Sequence, residues 1–427
     1  MNEPKINVGI MESDCLRFRL AGTFLCGNGS DCERMTVSAG EYAARGKDGK
    51  VAFQGRLWEE LRLEPVSSDD RFDLMDVTIG VNFHWERCET QRFAGVLRVI
   101  VSGNDATKVV AVNETGVEEY LKSVISSEMS AQASEGLLKA HAVISRSWLL
   151  RQLADRGKHV CEQAGGWKRV TVDGMETDEL VRWYDREDHS QFDVCADDHC
   201  QRYQGVTRQT SPCVAEAVEA TRGLALTFGG EICDARFSKC CGGRSELFEN
   251  CWEDSRHEYL ESVADRKEGM ERDFCDSDDE DVLSQVLNSY DLETKDFYRW
   301  SVRYGKGELG ELIRRRSGLD LGAVTELRPL ERGASGRIVR LFIRGEKGCV
   351  TVGKELEIRR WLSESHLKSS AFDVADEGDA FVLYGKGWGH GVGLCQIGAA
   401  VMGAKGYGYE EILNHYFPKA ELTRLYE

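Results

Sequence analysis

Apolar and polar residues alternate along much of the first hundred residues, as at positions 6–10, and this alternation predicts strands with one buried face. Between residues 93 and 113, two apolar runs flank a Gly-Asn-Asp turn, which predicts a hairpin that leads into a helix. We therefore expect a β-rich N-terminal region over residues 1–94.

A helical period of three and four residues begins at position 117. Its apolar positions are Val117, Tyr120, Leu121, Val124 and Ile125. They predict an amphipathic helix over residues 117–128, with Glu128 one turn after Val124 and close to the buried face. A second helix is predicted over residues 134–153, and the short link between the two makes an αα corner. We expect a mixed α+β fold in which this corner packs against mixed and antiparallel sheets.

The remainder of the chain carries weaker signals. Strands are predicted near Val170 and Val206 and over 224–228, 324–329 and 337–344; helices over 307–317 and 409–416; a solvated acidic loop over 275–281; and a Gly-rich loop over 385–398. We expect one domain over residues 95–427, with an accessory subdomain around 270–370.

Charge excludes one class of partner. The 427 residues include 55 basic and 73 acidic side chains, a net charge of -18, and no basic run interrupts the excess. Nucleic acid is therefore excluded as an expected partner, whereas a neutral sugar polymer is compatible with this charge. No apolar run has the length of a signal peptide or a membrane span, so the sequence is that of a cytoplasmic protein or of an exported one whose leader is trimmed. The sequence leaves these two locations open.

Two groups of motifs point to a family. The first helix ends in Glu128-Met129, and the second carries Leu138, Lys139, Ala140, Ala142, Val143 and Arg146. Near the C-terminus, residues 389–399 have the sequence GHGVGLCQIGA. These motifs, in this order over about residues 95–427, resemble the SpoIID/LytB family of stage II sporulation protein D and amidase enhancers. The sequence departs from the family at Cys395, Ile397 and His141, where members often carry Ser, Tyr and Gln.

The resemblance implies a lytic transglycosylase that cleaves peptidoglycan glycan strands. Such an enzyme cuts between N-acetylmuramic acid and N-acetylglucosamine without water, so one carboxyl serves as acid and then as base. We assign this role to Glu128, because a helix C-terminus and an apolar face both favour a protonated carboxyl. The alternative is a solvated surface Glu.

The same motifs suggest substrate contacts. The candidates are Arg146, Gln201, Tyr203, His390 and Gln396. Arg146 has a structural ion pair across the corner as its alternative, and Tyr203 could stack on a sugar ring. The Gly-rich loop lacks the Lys-Ser or Lys-Thr ending of a phosphate-binding loop.

Four potential metal ligands fall within twelve residues: His189, Cys195, His199 and Cys200. Zinc prefers such His and Cys ligands, and some members of the family hold zinc in this part of the chain at a similar spacing. Because His199 and Cys200 are adjacent, three ligands with a water is an alternative, as are buried or oxidised thiols. The ion would be structural, since the glycan chemistry requires none. The sequence has no His-Glu-x-x-His motif of the kind that a zinc hydrolase carries on a helix. Cys395 with His390 could act as a nucleophile and its base, but the sequence identifies no third group to orient the histidine.

The chain has 15 cysteines, an odd number that excludes a complete set of intramolecular disulfides. Two other functions stay open. One is a non-catalytic amidase enhancer that binds the wall or a partner amidase, and the other is a cytoplasmic protein that has kept the fold without the wall substrate.

Overall fold

The alternating and helical periods of the sequence become strands and helices in the computed structural model, which describes residues 2–27, 34–79, 87–130, 132–156, 165–183, 189–197, 200–209, 211–287 and 296–427. Within these ranges the helices are α1 (Val117–Glu128), α2 (Glu135–Asp155), α3 (Pro212–Ala220), α4 (Glu280–Leu283), α5 (Lys306–Ser317), α6 (Glu355–Trp361), α7 (Gln396–Ala404) and α8 (Tyr409–Tyr416). None of these described helices combines the length and the apolar content needed to traverse a bilayer.

The strands of the N-terminal half are β1 (Lys5–Ser13), β2 (Leu16–Ala21), β3 (Phe24–Gly27), β4 (Met35–Val37), β5 (Gly40–Lys47), β6 (Lys50–Phe53), β7 (Arg56–Trp58), β8 (Leu61–Pro65), β9 (Arg71–Ile79), β10 (Arg87–Phe93), β11 (Val96–Val101), β12 (Val109–Gly116), β13 (Gly165–Val172), β14 (Met175–Arg182) and β15 (Val194–Cys195). Those that follow are β16 (Leu224–Phe228), β17 (Glu231–Ile232), β18 (Phe237–Ser238), β19 (Arg299–Gly305), β20 (Val324–Arg332), β21 (Ile338–Gly345), β22 (Cys349–Gly353), β23 (Phe372–Asp376), β24 (Ala380–Lys386), β25 (Leu394–Cys395) and β26 (Glu421–Arg424).

Two sheets form the N-terminal region. One has the order β15-β1-β12-β11-β8-β3-β4 and the other β10-β9-β2-β5-β6-β7. The hairpin expected before the first helix is β11–β12, paired antiparallel from Val96 opposite Glu114 to Val101 opposite Val109. The prediction of a β-rich N-terminal region is confirmed. α1 begins at the residue that follows β12.

The αα corner is the centre of the larger hydrophobic core. α1 buries the apolar face that its period predicted, and α2 is buried along most of its length. α2 begins where a cap can form, since the Ser134 side chain accepts a hydrogen bond from the Leu137 N–H. The mixed α+β class is confirmed, with this corner packed among the sheets.

A second hydrophobic core lies between the sheet of order β13-β14-β22-β21-β20, the sheet of order β19-β24-β23, and the helices α5 and α6. Its largest fully buried side chain is Trp361 at the end of α6. Because β14 pairs parallel with β22, residues before and after α3 contribute to this core. One residue reaches from it toward the first core: the fully buried Arg337 donates to the carbonyl oxygens of Gly389 and Cys241.

Three local predictions were wrong. Val206 lies in a short 3-10 turn, Gly205–Arg208, rather than in a strand. The last three residues of the expected Gly-rich loop, from Gln396, begin the helix α7, because its glycines are interleaved with buried apolar residues. Cys275, which opens the acidic segment, is fully buried instead of solvated.

Candidate functional site

Glu128 ends α1 on the same helix face as Tyr120 and Val124, since these residues follow one another at intervals of four. Its side chain is half-buried, and the next residue, Met129, is extended and ends the helix. Gln285 holds the link that follows, because its carbonyl oxygen accepts from the Ser130 N–H at 2.9 Å and its Oε1 from the Ser134 N–H at 3.0 Å. The Glu128 carboxyl is therefore carried by a well-anchored helix end.

Three of the four expected metal ligands lie together: the ligand atoms of His189, Cys195 and Cys200, called here the thiol–imidazole group, are all within 4.8 Å of one another. His189 Nε2 is 3.6 Å from Cys200 Sγ, and that sulfur accepts from the Cys195 N–H at 3.4 Å. The fourth, His199, lies outside the described residues. This group contains one imidazole and two thiols, a donor set suited to zinc.

The N-terminal sheet positions this group. β15, which ends in Cys195, pairs parallel with β1 at Val8 and Gly9. The Phe192 ring stacks on the His189 ring at 4.6 Å and lies directly over Gly9, where a Cβ would come within 2.5 Å of it. A glycine at position 9 thus leaves the space that keeps the His189 side chain in place.

The Tyr120 hydroxyl lies within electrostatic reach of both the thiol–imidazole group and Glu128. It is fully buried and has no hydrogen-bond partner among the described residues. Burial raises its pKa well above the ordinary value, and the neighbouring Cys200, Cys195, Tyr203 and Glu128 raise it further. Because an unpaired buried hydroxyl is costly, this position is suited to a polar group or ion that completes the site.

A buried hydrogen-bond network crosses α2 next to these residues. Gln201, which follows Cys200, donates from Nε2 to the Ser145 carbonyl at 3.4 Å. Ser145 Oγ is 3.2 Å from His141 Nδ1, and His141 Nε2 is 3.1 Å from Gln396 Nε2 at the start of α7. The network joins the segment of the thiol–imidazole group to the C-terminal motif.

His390 lies in the turn before β25 and is half-buried. Its Nδ1 accepts from the Val392 N–H at 3.0 Å, and its ring meets the Trp252 ring edge-on at 4.8 Å. Arg236 lies over the other ring of this pair, 4.4 Å from the Trp252 centroid. Burial, with the charges of Arg236 and Arg337, lowers the pKa of His390 well below its ordinary value. His390 and Trp252 therefore form a neutral, partly accessible aromatic patch.

Comparison with known families bears on this arrangement. A family model described as Stage II sporulation protein matches residues 105–228, which contain α1, α2 and the thiol–imidazole group. Residues 105–228 of the chain therefore resemble the SpoIID family. A second model, described as a domain of unknown function (DUF8618), matches residues 246–393, which include most of the second core.

Individual proteins named stage II sporulation protein D are similar to a longer part of the chain. The chain is 24% identical over 314 residues to the stage II sporulation protein D of Bacillus amyloliquefaciens, a match that covers 73% of this chain and 76% of that protein. The protein of the same name from Bacillus subtilis (strain 168) is 23% identical over 314 residues, with the same two shares. The amidase enhancer of that strain is 24% identical over 228 residues, covering 49% of this chain and 32% of the enhancer. The chain thus spans about a third of the enhancer's length.

The five expected substrate contacts fall into two classes. Arg146, Gln201, Tyr203 and Gln396 are buried, whereas His390 is half-buried. Arg146 forms a buried ion pair with Glu118, with Nη2 2.6 Å from Oε2, which is the structural alternative that the sequence left open. The Tyr203 ring stacks on Tyr120 at 5.0 Å, and its hydroxyl donates to Asn113 at 2.6 Å. Their placement favours a supporting role for the four buried residues.

Sequence reasoning missed the contributions of Tyr120 and His141. Tyr120 was interpreted only as part of an apolar helix face, and its hydroxyl gave no separate signal. His141 did carry one, because it replaces a residue that is often Gln in the SpoIID/LytB family. A polar residue at a position that faces Gln396 from a buried helix indicates a hydrogen-bonded pair.

The His141 ring leads to a prediction about acid stability. Burial, with a smaller contribution from Lys239, lowers the pKa of His141 from 6.5 to about 3. Between these two values the unfolded chain binds a proton that the folded chain does not, so the free energy of unfolding falls as the pH falls. We expect this residue to contribute about 1.4 kcal/mol per pH unit over that range, measured from urea unfolding at several pH values.

His141→Gln is the matched control, because Gln keeps a donor and an acceptor but does not titrate. Its stability is expected to depend less steeply on pH than that of the wild type. Equal slopes in the two proteins would contradict a buried neutral His141.

Proposed function

We propose that this chain cleaves the glycan strands of peptidoglycan as a lytic transglycosylase, with Glu128 as its acid and base. The observation that carries the proposal is the position of the half-buried Glu128 at the end of α1, on one helix face with Tyr120, whose buried hydroxyl has no hydrogen-bond partner among the described residues. The match of residues 105–228 to the SpoIID model and the similarity to stage II sporulation protein D support a role at the cell wall.

In the proposed reaction, the protonated Glu128 carboxyl donates its proton to the glycosidic oxygen as the bond between the muramic acid carbon and that oxygen breaks. The leaving N-acetylglucosamine end thereby gains a hydroxyl. A hydroxyl of the same muramic acid then attacks the carbon, and its proton returns to Glu128 as the anhydro ring closes. Atoms and charge balance without water, and one carboxyl performs both transfers.

Zinc is the metal that best suits the thiol–imidazole group. His189, Cys195 and Cys200 would hold it, because one imidazole and two thiols whose ligand atoms lie within 4.8 Å of one another are a donor set suited to zinc. When bound, such an ion supplies positive charge that can orient or polarise an oxygen ligand. The chain's own contribution is to hold the two thiols and the His189 imidazole close together next to the segment that contains Gln201.

The remaining candidates serve the site in two ways. The half-buried His390, with Trp252 beside it, provides an aromatic patch that suits a sugar ring. Gln201 and Gln396 act as positioning residues, because the network through His141 and Ser145 fixes the start of α7 relative to α2. Arg146 and Tyr203 hold α1 against its neighbours.

The test is a product analysis. Purified protein is incubated with wall sacculi and, separately, with peptide-free glycan strands, and the products are analysed by mass spectrometry. We expect glycan fragments that end in anhydromuramic acid and are lighter by one water than the hydrolysed ends. Hydrolysed ends, or no cleavage of either substrate, would contradict the proposal.

A second candidate is a non-catalytic amidase enhancer, which the match to a protein of that name favours. The same preparation separates the two functions when a cell-wall amidase is added. An enhancer would leave the glycan strands uncut while raising the rate at which the amidase releases stem peptides.

A further inference from the structure

A second group of metal-ligand side chains lies in the protein interior, distinct in its residues from the thiol–imidazole group. Cys241, Asp265, Cys275 and Cys395 place one ligand atom each within 4.8 Å of all the others, and all four residues are buried. We call them the cysteine cluster. They come from three distant segments, the turn after β18, the loop of residues 265–275 and the start of α7, so the fold assembles four donors around one point.

The spacing of two sulfurs suits a shared tetrahedral ion. Cys241 Sγ and Cys275 Sγ are 3.7 Å apart. In a tetrahedral zinc site with Zn–S bonds of about 2.3 Å, two sulfurs are separated by about 3.8 Å. The two thiols therefore already stand at the separation that zinc ligation requires.

Backbone N–H groups are directed at the sulfurs. Cys395 Sγ accepts from the Cys241 N–H at 3.2 Å and, as the N-cap of α7, from the Gly398 N–H at 3.5 Å. Cys241 Sγ accepts from the Gly243 N–H at 3.4 Å. Such donors, together with a helix N-terminus, stabilise thiolates, which are the form that binds metals.

Asp265 adds a buried carboxyl to this cluster. Its Oδ1 accepts from the Tyr416 hydroxyl at 2.6 Å and its Oδ2 from the Cys275 N–H at 2.7 Å, and no ion pair with a described residue is formed. α7 approaches this carboxyl closely at Gly398, where a Cβ would lie 2.4 Å from Oδ1. A carboxylate and thiolates buried together without a cation are costly, and a bound divalent cation removes that cost.

We propose that the cysteine cluster binds a structural zinc ion through Cys241, Asp265, Cys275 and Cys395. Four protein ligands complete a tetrahedron and leave no open position, so the ion holds structure and does not take part in the glycan reaction. It fixes the start of α7, and with it Gln396, to the two loops that supply the other ligands. The proposal is independent of the function proposed above.

The test measures zinc by elemental analysis in full-length protein purified under reducing conditions. The variant Cys195→Ser/Cys200→Ser removes the thiols of the other group, so that any zinc left belongs to the cysteine cluster. We expect this variant to retain about one zinc per chain. Adding Cys275→Ser is expected to remove it, whereas Cys233→Ser, which changes a buried thiol outside the cluster, is expected to leave it in place.

Cobalt provides a measurement that does not depend on how the Cys275 variant folds. The Cys195→Ser/Cys200→Ser protein, stripped of zinc and loaded with Co²⁺, is expected to show thiolate-to-cobalt absorption and the visible bands of a tetrahedral site. Absence of both the zinc and the cobalt spectrum from this protein would overturn the proposal. So would a Cys241–Cys275 disulfide in the freshly purified protein, detected by mass spectrometry of unreduced peptides.

Discussion

Glu128→Gln is expected to lower the rate at which anhydromuramic ends form by roughly 10²–10⁴-fold, because Gln keeps the shape of the side chain but can neither donate nor take up the proton of the reaction. Binding of glycan strands is expected to change little, since the amide still offers polar contacts. The measurement is the initial rate of anhydro-end formation on peptide-free strands, with circular dichroism to verify the fold.

Glu119→Gln is the matched control, since it makes the same chemical change on the same helix. Glu119 accepts hydrogen bonds from Lys122 and Gln209 near the start of α1, about two and a half turns from Glu128. This variant is expected to keep the wild-type rate. If Glu128→Gln also kept it, Glu128 would have no role in proton transfer.

Arg146→Ala is expected to lower the free energy of unfolding by about 3–5 kcal/mol, because it leaves the Glu118 carboxylate buried without its cation. Both partners are buried, and Arg146 Nε and Nη2 lie 3.0 and 2.6 Å from the two Glu118 oxygens. The Arg146 guanidinium also donates to the Leu224 carbonyl oxygen, so a second acceptor loses its partner. Urea unfolding at neutral pH measures the change.

An exposed pair on α2 provides the comparison. Glu135→Gln breaks the i,i+4 ion pair between Glu135 and Lys139. The Glu135 side chain is 77% exposed. We expect a loss of no more than about 0.5 kcal/mol from this variant, because solvent screens exposed pairs. The double variant Glu118→Gln/Arg146→Met is expected to lose less unfolding free energy than Glu118→Gln and Arg146→Met lose together as single variants. In the double variant neither charge is left buried without its partner. Strict additivity would show that the two residues do not act as a pair.

Local periodicity explains what could be predicted from sequence. The bounds of α1 and α8 agree with those expected, because apolar residues recur at helical spacing and the flanking residues break the pattern. β16 was likewise predicted at Leu224–Phe228. The thiol–imidazole group was also accessible, since its residues lie close together in sequence and need only a short loop to meet.

Contacts between distant segments explain what could not be predicted. Cys275 stands in an acidic run that is typical of a solvated loop, yet it is buried because Asp265 and the start of α7 close over it. α7 was missed because its glycines serve close packing, with Gly398 against Tyr416 and Gly403 against Ser134, and do not break the helix. Neither contact leaves a periodic pattern in the sequence.

The Glu118 carboxylate also receives a hydrogen bond from the Tyr426 hydroxyl at 2.6 Å, a partner 308 residues further along the chain. At a synthesis rate of about 5–20 residues per second, that partner emerges from the ribosome roughly 15–60 seconds after α1. α1 and α2 are adjacent in sequence, but the hydrogen bonds of the buried Glu118 carboxylate are complete only after the C-terminal residues have been made. During that interval the Glu118 carboxylate of a nascent chain lacks its hydrogen bond from Tyr426.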